Sequence, residues 1–210
     1  MSETNAVNIH EVKQAATEYA IHPLLAKRWS PRAFSNQPIA PETVGSLFEA
    51  ARWAASGGNG QPWFFIIASR ENPEEFERLL ACINPFNADW AKDAGLLGIA
   101  VAQTTRDDGK PSPMAPFDLG LAMQNLSIQA TEMDLHIHMM GGFSGEQART
   151  TYAIPETHTP CCAFAVGYFG APESLNERNL ERELAPRSRK PLNGFVFGDT
   201  WGKTSSLLSK

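Results

Sequence analysis

Two short segments at opposite ends of the chain place arginines at alternate positions. The N-terminal arginine segment AKRWSPRAF (residues 26–34) carries Arg28, Ser30 and Arg32, and the C-terminal arginine segment APRSRKP (residues 185–191) carries Arg187 and Arg189. Alternate side chains of extended backbone lie on the same side, so each set can converge on one ligand. Arginine forms forked, charge-assisted hydrogen bonds to phosphate oxygens, which favours a phosphate ligand. The alternative is ordinary surface charge, in which an ion pair is worth only ~0–1 kcal/mol.

The charge of the whole chain limits the kind of anion that these arginines would bind. The 210 residues carry a formal net charge of −5. A protein that binds a nucleic-acid backbone usually carries a clear basic excess. We therefore expect a local basic site for a small anion and no nucleic-acid partner.

A glycine-rich stretch, SGGNGQPW (residues 56–63), is a second candidate for ligand binding. Glycine lets the backbone approach a ligand closely, and Asn59 and Gln61 could hydrogen-bond a polar heterocycle. The alternative is a plain connection between a helix and a strand. The stretch is not a P-loop, because it lacks the Gly-Lys-Ser/Thr ending and its helix comes before it.

Other catalytic patterns receive little support. His136 and His138 alternate on a predicted strand, but their surroundings match no standard zinc-ligand spacing. No Gly-x-Ser-x-Gly motif of an α/β-hydrolase is present. We therefore expect no metal site and no catalytic triad.

The cysteines and the apolar runs indicate the cellular compartment in which the protein is expected. Cys82, Cys161 and Cys162 form no disulfide framework, which favours a reducing environment. The first residues lack the apolar core of a signal peptide, and no apolar run approaches the ~20 residues of a membrane span. These features predict a cytoplasmic protein with no membrane partner.

The elements that would position the candidate residues follow from apolar periodicity. Helices are predicted after Pro41, after Pro73 and over residues 118–134, where Asp118 is a plausible N-cap. Buried strands are predicted at residues 63–69, 95–103 and 160–170, and a short strand at residues 135–140. The alternation of strands and helices indicates an α/β or α+β protein with a sheet covered on both faces.

Two segments fall outside this regular pattern. Residues 104–116 form a polar loop broken by prolines, of a length that is usually functional or mobile. The irregular tail holds Phe195, Phe197 and Trp201. The tail either wraps its own domain or embraces a partner subunit, and its composition favours neither.

Four motifs in a fixed order together resemble the nitroreductase family of FMN-dependent oxidoreductases. They are KRWSPRAF followed by a helix, ASGGNGQPWFFIIAS, GGF after a strand, and PRSRKPL near the end of the chain. The resemblance covers roughly residues 23–201. It implies an α+β fold with a central mixed β-sheet flanked by helices, here as one domain over residues 1–210. It also implies a homodimer that binds FMN at its interface, with C-terminal segments that reach across to the other subunit.

The resemblance further implies roles for individual residues. Arg28 and Ser30 would meet the phosphate and ribityl chain of FMN, and Arg32 would lie nearer the pyrimidine edge of the ring. The remaining implied cofactor-binding residues are the phosphate clamp Arg187 and Arg189, the partner subunit's loop Ser56, Asn59 and Gln61, the turn Met140, Gly141 and Gly142 beside the ring, and Asn87. The stretch SGGNG has more glycine than the usual serine-rich version, so backbone N–H groups would replace some hydroxyl contacts.

The activity implied by the resemblance is carried by the flavin. NADH or NADPH would reduce FMN at N5, and the flavin would pass electrons to a small acceptor such as a nitroaromatic or a quinone. A shared site for donor and acceptor implies ping-pong kinetics without a protein nucleophile. One alternative is a flavin store or redox sensor without efficient turnover, and another is a specialised reaction such as flavin destruction or reductive dehalogenation.

Overall fold

The computed structural model describes residues 8–208, so the domain predicted over residues 1–210 extends beyond this range at both ends. The helices and strands within this range are α1 (Ile9–Val12), α2 (Pro23–Lys27), α3 (Pro41–Arg52), β1 (Trp63–Ser69), α4 (Pro73–Leu80), α5 (Pro85–Ala91), β2 (Leu96–Gln103), α6 (Ala115–Glu132), β3 (His136–Met140), α7 (Gly145–Tyr152), β4 (His158–Gly167) and α8 (Glu177–Leu184). Single 3₁₀ turns lie at Gly57–Asn59, Pro172–Ser174, Leu192–Gly194 and Ser206–Leu208.

The four strands form one sheet in the order β1-β2-β4-β3. All three pairings between these strands are antiparallel, so the mixed sheet that we expected is an antiparallel one among the described residues. The reason is the position of β4. Because β2 and β3 are both antiparallel to β4, they run in the same direction, but β4 lies between them and prevents a parallel pairing.

Helices cover both faces of the sheet. On one face, apolar side chains of α3 and α6 pack with residues of the strands in a core that includes Leu47, Leu126 and Phe164. On the other face, α4, α5 and α7 contribute to a core that includes Leu79, Trp90 and Ala148. The α+β class with a central sheet flanked by helices is confirmed.

Side-chain caps explain where several helices begin. Asn72, Asn84, Ser144 and Asn176 each accept a hydrogen bond from a backbone N–H in the first turn of α4, α5, α7 and α8 respectively. The N-cap predicted for α6 is wrong, because the helix begins at Ala115 and Asp118 lies inside it. Pro116 fits the first turn of a helix, so α6 starts earlier than the carboxylate of Asp118 suggested.

Strand β1 has the predicted limits but not the predicted burial. It lies at the edge of the sheet, and Phe64 and Ile67 are 47% and 42% exposed in the single chain. An edge strand has a neighbour on one side only, so apolar residues in its sequence do not ensure burial.

The tail forms a small local hairpin. Gly198 and Ser205 donate backbone hydrogen bonds to Lys203 and Val196, and the ring of Phe197 packs edge-on against Trp201. Trp201 is nevertheless 94% exposed.

From residue 8 to residue 208, no helix combines the length and the apolar character that a membrane span requires.

Candidate functional site

The N-terminal arginine segment begins in the last two residues of α2 and leaves the helix at Arg28, whose backbone is extended. The guanidinium Nη1 of Arg28 donates to the hydroxyl Oγ of Ser30 at 3.3 Å, which shows that these two side chains share one side. Trp29 points the other way and is buried against the rings of His136 and Phe169. The alternation read from the sequence is therefore present at Arg28 and Ser30.

The C-terminal arginine segment lies directly against the N-terminal one. Arg187 donates from Nη1 to the carbonyl oxygen of Arg28 at 2.6 Å and from Nη2 to that of Ala26 at 2.7 Å. The structure thus brings Arg28, Ser30 and Arg187 together. Arg187 uses both terminal nitrogens on the backbone, a contact that the sequence did not predict.

A cleft of about 570 Å³ opens at this junction. Its basic lining consists of Arg28, Arg187, Arg189 and Lys190, and its apolar lining includes Tyr19, Ile21 and Phe195. Within residues 8–208, none of these four cations forms an ion pair with a carboxylate. The cleft therefore presents positive charge that the described part of the chain does not pair with a carboxylate.

Burial and the charges of neighbouring arginines lower the pKa of Arg28 and of Arg187. Burial is the main cause that lowers the pKa of Arg28, and the charge of Arg189 lowers it further. Burial, Arg28 and Arg189 together lower the pKa of Arg187. Like charges held this close favour an anion between them, because the anion replaces repulsion with attraction.

The carboxylate of Glu183 holds the backbone of Arg32 in place. The N–H of Arg32 donates to Oε2 of Glu183 at 2.9 Å, and the N–H of Ala33 donates to Oε1 of the same carboxylate at 3.4 Å. The side-chain Nε of Arg32 is buried and has no hydrogen-bond partner among residues 8–208. A buried donor without a partner is unusual in folded proteins.

Strand β3 contacts the N-terminal arginine segment through His138. His138 Nδ1 lies 2.7 Å from the carbonyl oxygen of Pro31, and its ring packs 4.5 Å from the ring of Trp90. A carbonyl only accepts, so Nδ1 carries the proton. Burial lowers the pKa of His138 to about 4, which keeps the imidazole neutral near pH 7.

The turn after β3 contacts the start of α5. The carbonyl oxygen of Gly142 accepts hydrogen bonds from the backbone N–H of Asn84 at 3.1 Å and from Nδ2 of Asn87 at 3.2 Å. A Cβ at Gly142 would lie 2.3 Å from Nδ2 of Asn84 and 2.6 Å from Nδ2 of Asn87. Met140, which precedes the turn, is buried in the core. The predicted residues Asn87 and Gly142 are therefore in contact, and Gly141 lies between Met140 and Gly142.

The glycine-rich loop is organised by itself and by α6. Ser56 Oγ accepts from the N–H of Gln61 at 3.0 Å, Gln61 Nε2 donates to the carbonyl of Asn59 at 3.1 Å, and Gly57 N–H donates to Asp118 at 3.2 Å. Asn59 and Gln61 have φ values of 59° and 47°, a left-handed conformation that costs energy in residues other than glycine. The recorded hydrogen bonds of Ser56, Asn59 and Gln61 do not connect them to the arginines within one chain.

Several residues that contact the N-terminal arginine segment or the turn at Gly142 were not predicted. No role was predicted for Glu183 or Asn84, and His138 was considered only as a metal ligand. Glu183 stands four residues before Arg187, a spacing that reads as an ordinary helical pair and gives no local signal. Among residues 8–208, no group of three or more histidine, cysteine, aspartate or glutamate side chains is placed to hold a metal ion.

The fold and the site define an α+β protein with a preformed basic cleft. The chain belongs to the nitroreductase family, whose sequence model matches residues 25–168. This range includes the N-terminal arginine segment, the glycine-rich loop and the turn at Gly142, and it ends before Arg187.

Individual relatives agree with this family. A solved structure described as an oxidoreductase containing FMN is 31% identical, with a TM-score of 0.85 over 90% of this chain and 96% of that chain. An uncharacterized 15.4 kDa protein of Mycolicibacterium smegmatis is 30% identical over 129 residues, 61% of this chain and 86% of its own length. A protein of Archaeoglobus fulgidus, provisionally named NADH dehydrogenase/NAD(P)H nitroreductase, is 23% identical over 76% of this chain and 95% of its own length.

Proposed function

We propose that this chain is an FMN-dependent oxidoreductase that takes electrons from NADH or NADPH and passes them to a small acceptor such as a nitroaromatic or a quinone. The observation that carries the proposal is the convergence of Arg28, Arg187 and Arg189 on one cleft. Glu18 also lines the cleft, but among residues 8–208 no carboxylate forms an ion pair with these arginines. The FMN named for the relative of 31% identity supports the choice of ligand. The name of the Archaeoglobus fulgidus relative supports the nicotinamide donor.

The residues present fit the phosphate end of FMN. Arg28, Ser30 and Arg189 would bind the phosphate and the ribityl chain through charge-assisted hydrogen bonds. The Nε atoms of Arg32 and Arg187 are buried donors that have no partner in the described part of the chain, as expected for groups that would hydrogen-bond a bound ligand. The donor set therefore suits an anionic ligand with several oxygens.

Bound FMN would supply the electron-transfer chemistry, and the residues of this chain would bind and orient it. Arg32 would stabilise negative charge on the ring from its pyrimidine side. His138 orients the Pro31 carbonyl, and its buried neutral imidazole is committed to that bond, so it is not available as a general acid. The protein's part in the reaction is therefore placement and electrostatics.

We further propose that the active form is a homodimer. Large apolar side chains are exposed in the single chain, and they include Phe64 and Ile67 on β1 and Phe195 and Trp201 in the tail. The glycine-rich loop, with Ser56, Asn59 and Gln61, makes no recorded hydrogen bond to the arginines of its own chain, as expected if it serves the cofactor of the other subunit. The tail would then contact the partner subunit.

The proposed function is tested by the absorbance spectrum of the purified protein. We expect bound flavin absorbance, bleaching by NADH or NADPH without oxygen, and recovery on adding a quinone or a nitroaromatic. A protein that binds no FMN would contradict the proposal. A protein that binds FMN but is not reduced by either nicotinamide would instead be a flavin store or a sensor.

A further inference from the structure

Glu183 is a buried carboxylate at the junction of the two arginine segments. It lies near the end of α8, and only 1% of its surface is exposed. Its two oxygens accept the consecutive backbone N–H groups of Arg32 and Ala33, which lie 151 and 150 residues away in the sequence. One side chain therefore fixes the orientation of a peptide in the N-terminal arginine segment.

Lys13 donates hydrogen bonds to backbone carbonyls at the same end of α8. Its Nζ donates to the carbonyl of Ala185 at 2.6 Å and to that of Arg182 at 3.3 Å, and it lies 5.1 Å from the centre of the Trp29 ring. Lys13 is 5% exposed and attracts Glu183 electrostatically. A cation at the last carbonyls of a helix is stabilising, so Lys13 holds the end of α8 against the N-terminal arginine segment.

Glu183 and Arg187 bind the N-terminal arginine segment at two places. Arg187 donates to carbonyls at the start of this segment, and Glu183 accepts from amides near its end. Arg187 lies four positions after Glu183 in the sequence. A short stretch of chain thus fixes both ends of the segment that carries Arg28, Ser30 and Arg32.

We propose that Glu183 is a positioning residue, which holds the Arg32 peptide so that the guanidinium group of Arg32 is presented to the ring of a bound FMN. This inference rests on the proposed function, because the place of Arg32 beside the flavin ring is part of that function. Glu183 does not touch the ligand. It acts through the backbone of Arg32 and Ala33.

The variant Glu183→Gln tests this arrangement with little change of shape. A glutamine offers one oxygen to one N–H and turns its NH₂ group toward the other N–H, so one of the two bonds is lost. The matched control is Glu181→Gln on the same helix, because the carboxylate of Glu181 is exposed. Both variants remove one negative charge from α8, and only Glu183→Gln removes a hydrogen bond to the backbone of Arg32 and Ala33.

Three measurements are made on the purified holoproteins. FMN affinity is obtained from flavin fluorescence released on dilution, and we expect Glu183→Gln to bind FMN at least tenfold more weakly than Glu181→Gln. Amide hydrogen exchange over residues 30–34 should be faster in Glu183→Gln alone. The reduction potential of the FMN that stays bound should become more negative in Glu183→Gln, because Arg32 no longer stabilises the reduced ring. A general loss of stability would lower occupancy without moving this potential.

The outcomes separate the inference from the function on which it rests. If the wild-type protein binds no FMN, both are wrong. If the wild type binds FMN while Glu183→Gln matches Glu181→Gln in affinity and potential, only the positioning role is wrong. Faster exchange with an unchanged potential would also overturn it, since Glu183 would then hold the backbone without orienting Arg32 toward the ring.

Discussion

Arg187 Nη1 donates a 2.6 Å hydrogen bond to the carbonyl oxygen of Arg28, a residue 159 positions earlier in the chain. The two side chains carry like charges, and burial together with the charges of Arg28 and Arg189 lowers the pKa of Arg187. Hydrogen bonds from Arg187 to the backbone carbonyls of Ala26 and Arg28 hold this unfavourable arrangement in place. Holding like charges close together costs free energy in the folded chain without a ligand. A bound anion would offset this cost.

Replacing Arg28 with alanine should weaken FMN binding. Loss of a charge-assisted hydrogen bond costs about 1.5–3 kcal/mol, which corresponds to roughly a 10- to 150-fold rise in Kd. Fluorescence titration measures the change. The control is Arg52→Ala, which removes an exposed arginine of α3 that is paired with Glu49. If Arg28→Ala retains FMN as well as Arg52→Ala does, Arg28 is not a phosphate ligand.

Adjacent glycines in the turn after β3 should respond differently to alanine. Gly142→Ala brings a Cβ against the amides of Asn84 and Asn87, whereas a Cβ at Gly141 meets nothing within 4 Å. Overpacking of this kind costs about 1–3 kcal/mol. Urea unfolding should therefore show a clear loss of stability for Gly142→Ala and almost none for Gly141→Ala. If Gly142→Ala lost as little stability as Gly141→Ala, the turn would be able to move and accommodate the added methyl group.

The protein should lose stability as the pH falls from about 6.5 to about 4. Burial lowers the pKa of His136 and His138 from 6.5 to about 4, so in this range the unfolded chain binds more protons than the folded one. Each histidine therefore lowers the free energy of unfolding by up to ~3 kcal/mol at acid pH. Glu183 acts in the opposite direction, because burial raises its pKa.

The variant His138→Gln isolates one of these contributions. Between pH 7 and pH 4 its free energy of unfolding should fall by ~3 kcal/mol less than that of the wild type. Denaturant unfolding at a series of pH values gives both curves. Parallel curves would show that His138 does not titrate with the lowered pKa.

Steady-state kinetics should show that donor and acceptor use one site in turn. With NADH varied at several fixed concentrations of a quinone, double-reciprocal plots should give parallel lines. Lines that intersect would indicate that both molecules bind at once, which the shared site does not allow.

The chain should form a dimer that depends on the tail. Sedimentation equilibrium is expected to give twice the 23.0 kDa of one chain. Trp201 is 94% exposed in the single chain, so Trp201→Ser removes a large apolar contact if the partner subunit covers it. We expect this variant to dissociate at concentrations where the wild type stays dimeric. A monomeric wild-type protein would contradict the proposed assembly.

Local patterns predicted much of the fold. Strand β1 begins at Trp63 and ends at Ser69 as expected, because its run of β-forming residues follows Pro62 and precedes the cap of the next helix at Asn72. Arg28 and Ser30 share one side, as the two-residue repeat of extended backbone requires. A local feature was also misjudged: Pro116 in the first turn starts α6 before Asp118, where the N-cap was expected.

Long-range pairing decided the rest. The burial expected for β1 was wrong for the single chain, because it depended on the place of the strand at the edge of the sheet. The sequence by itself determined the four strands to within three residues at each end, the helices after Pro41 and Pro73, and which arginines alternate, but it did not reveal α2, α5 or α8. Only the tertiary structure placed the carboxylate of Glu183 on the amides of Arg32 and Ala33, since that contact depends on how α8 packs against a segment 150 residues away.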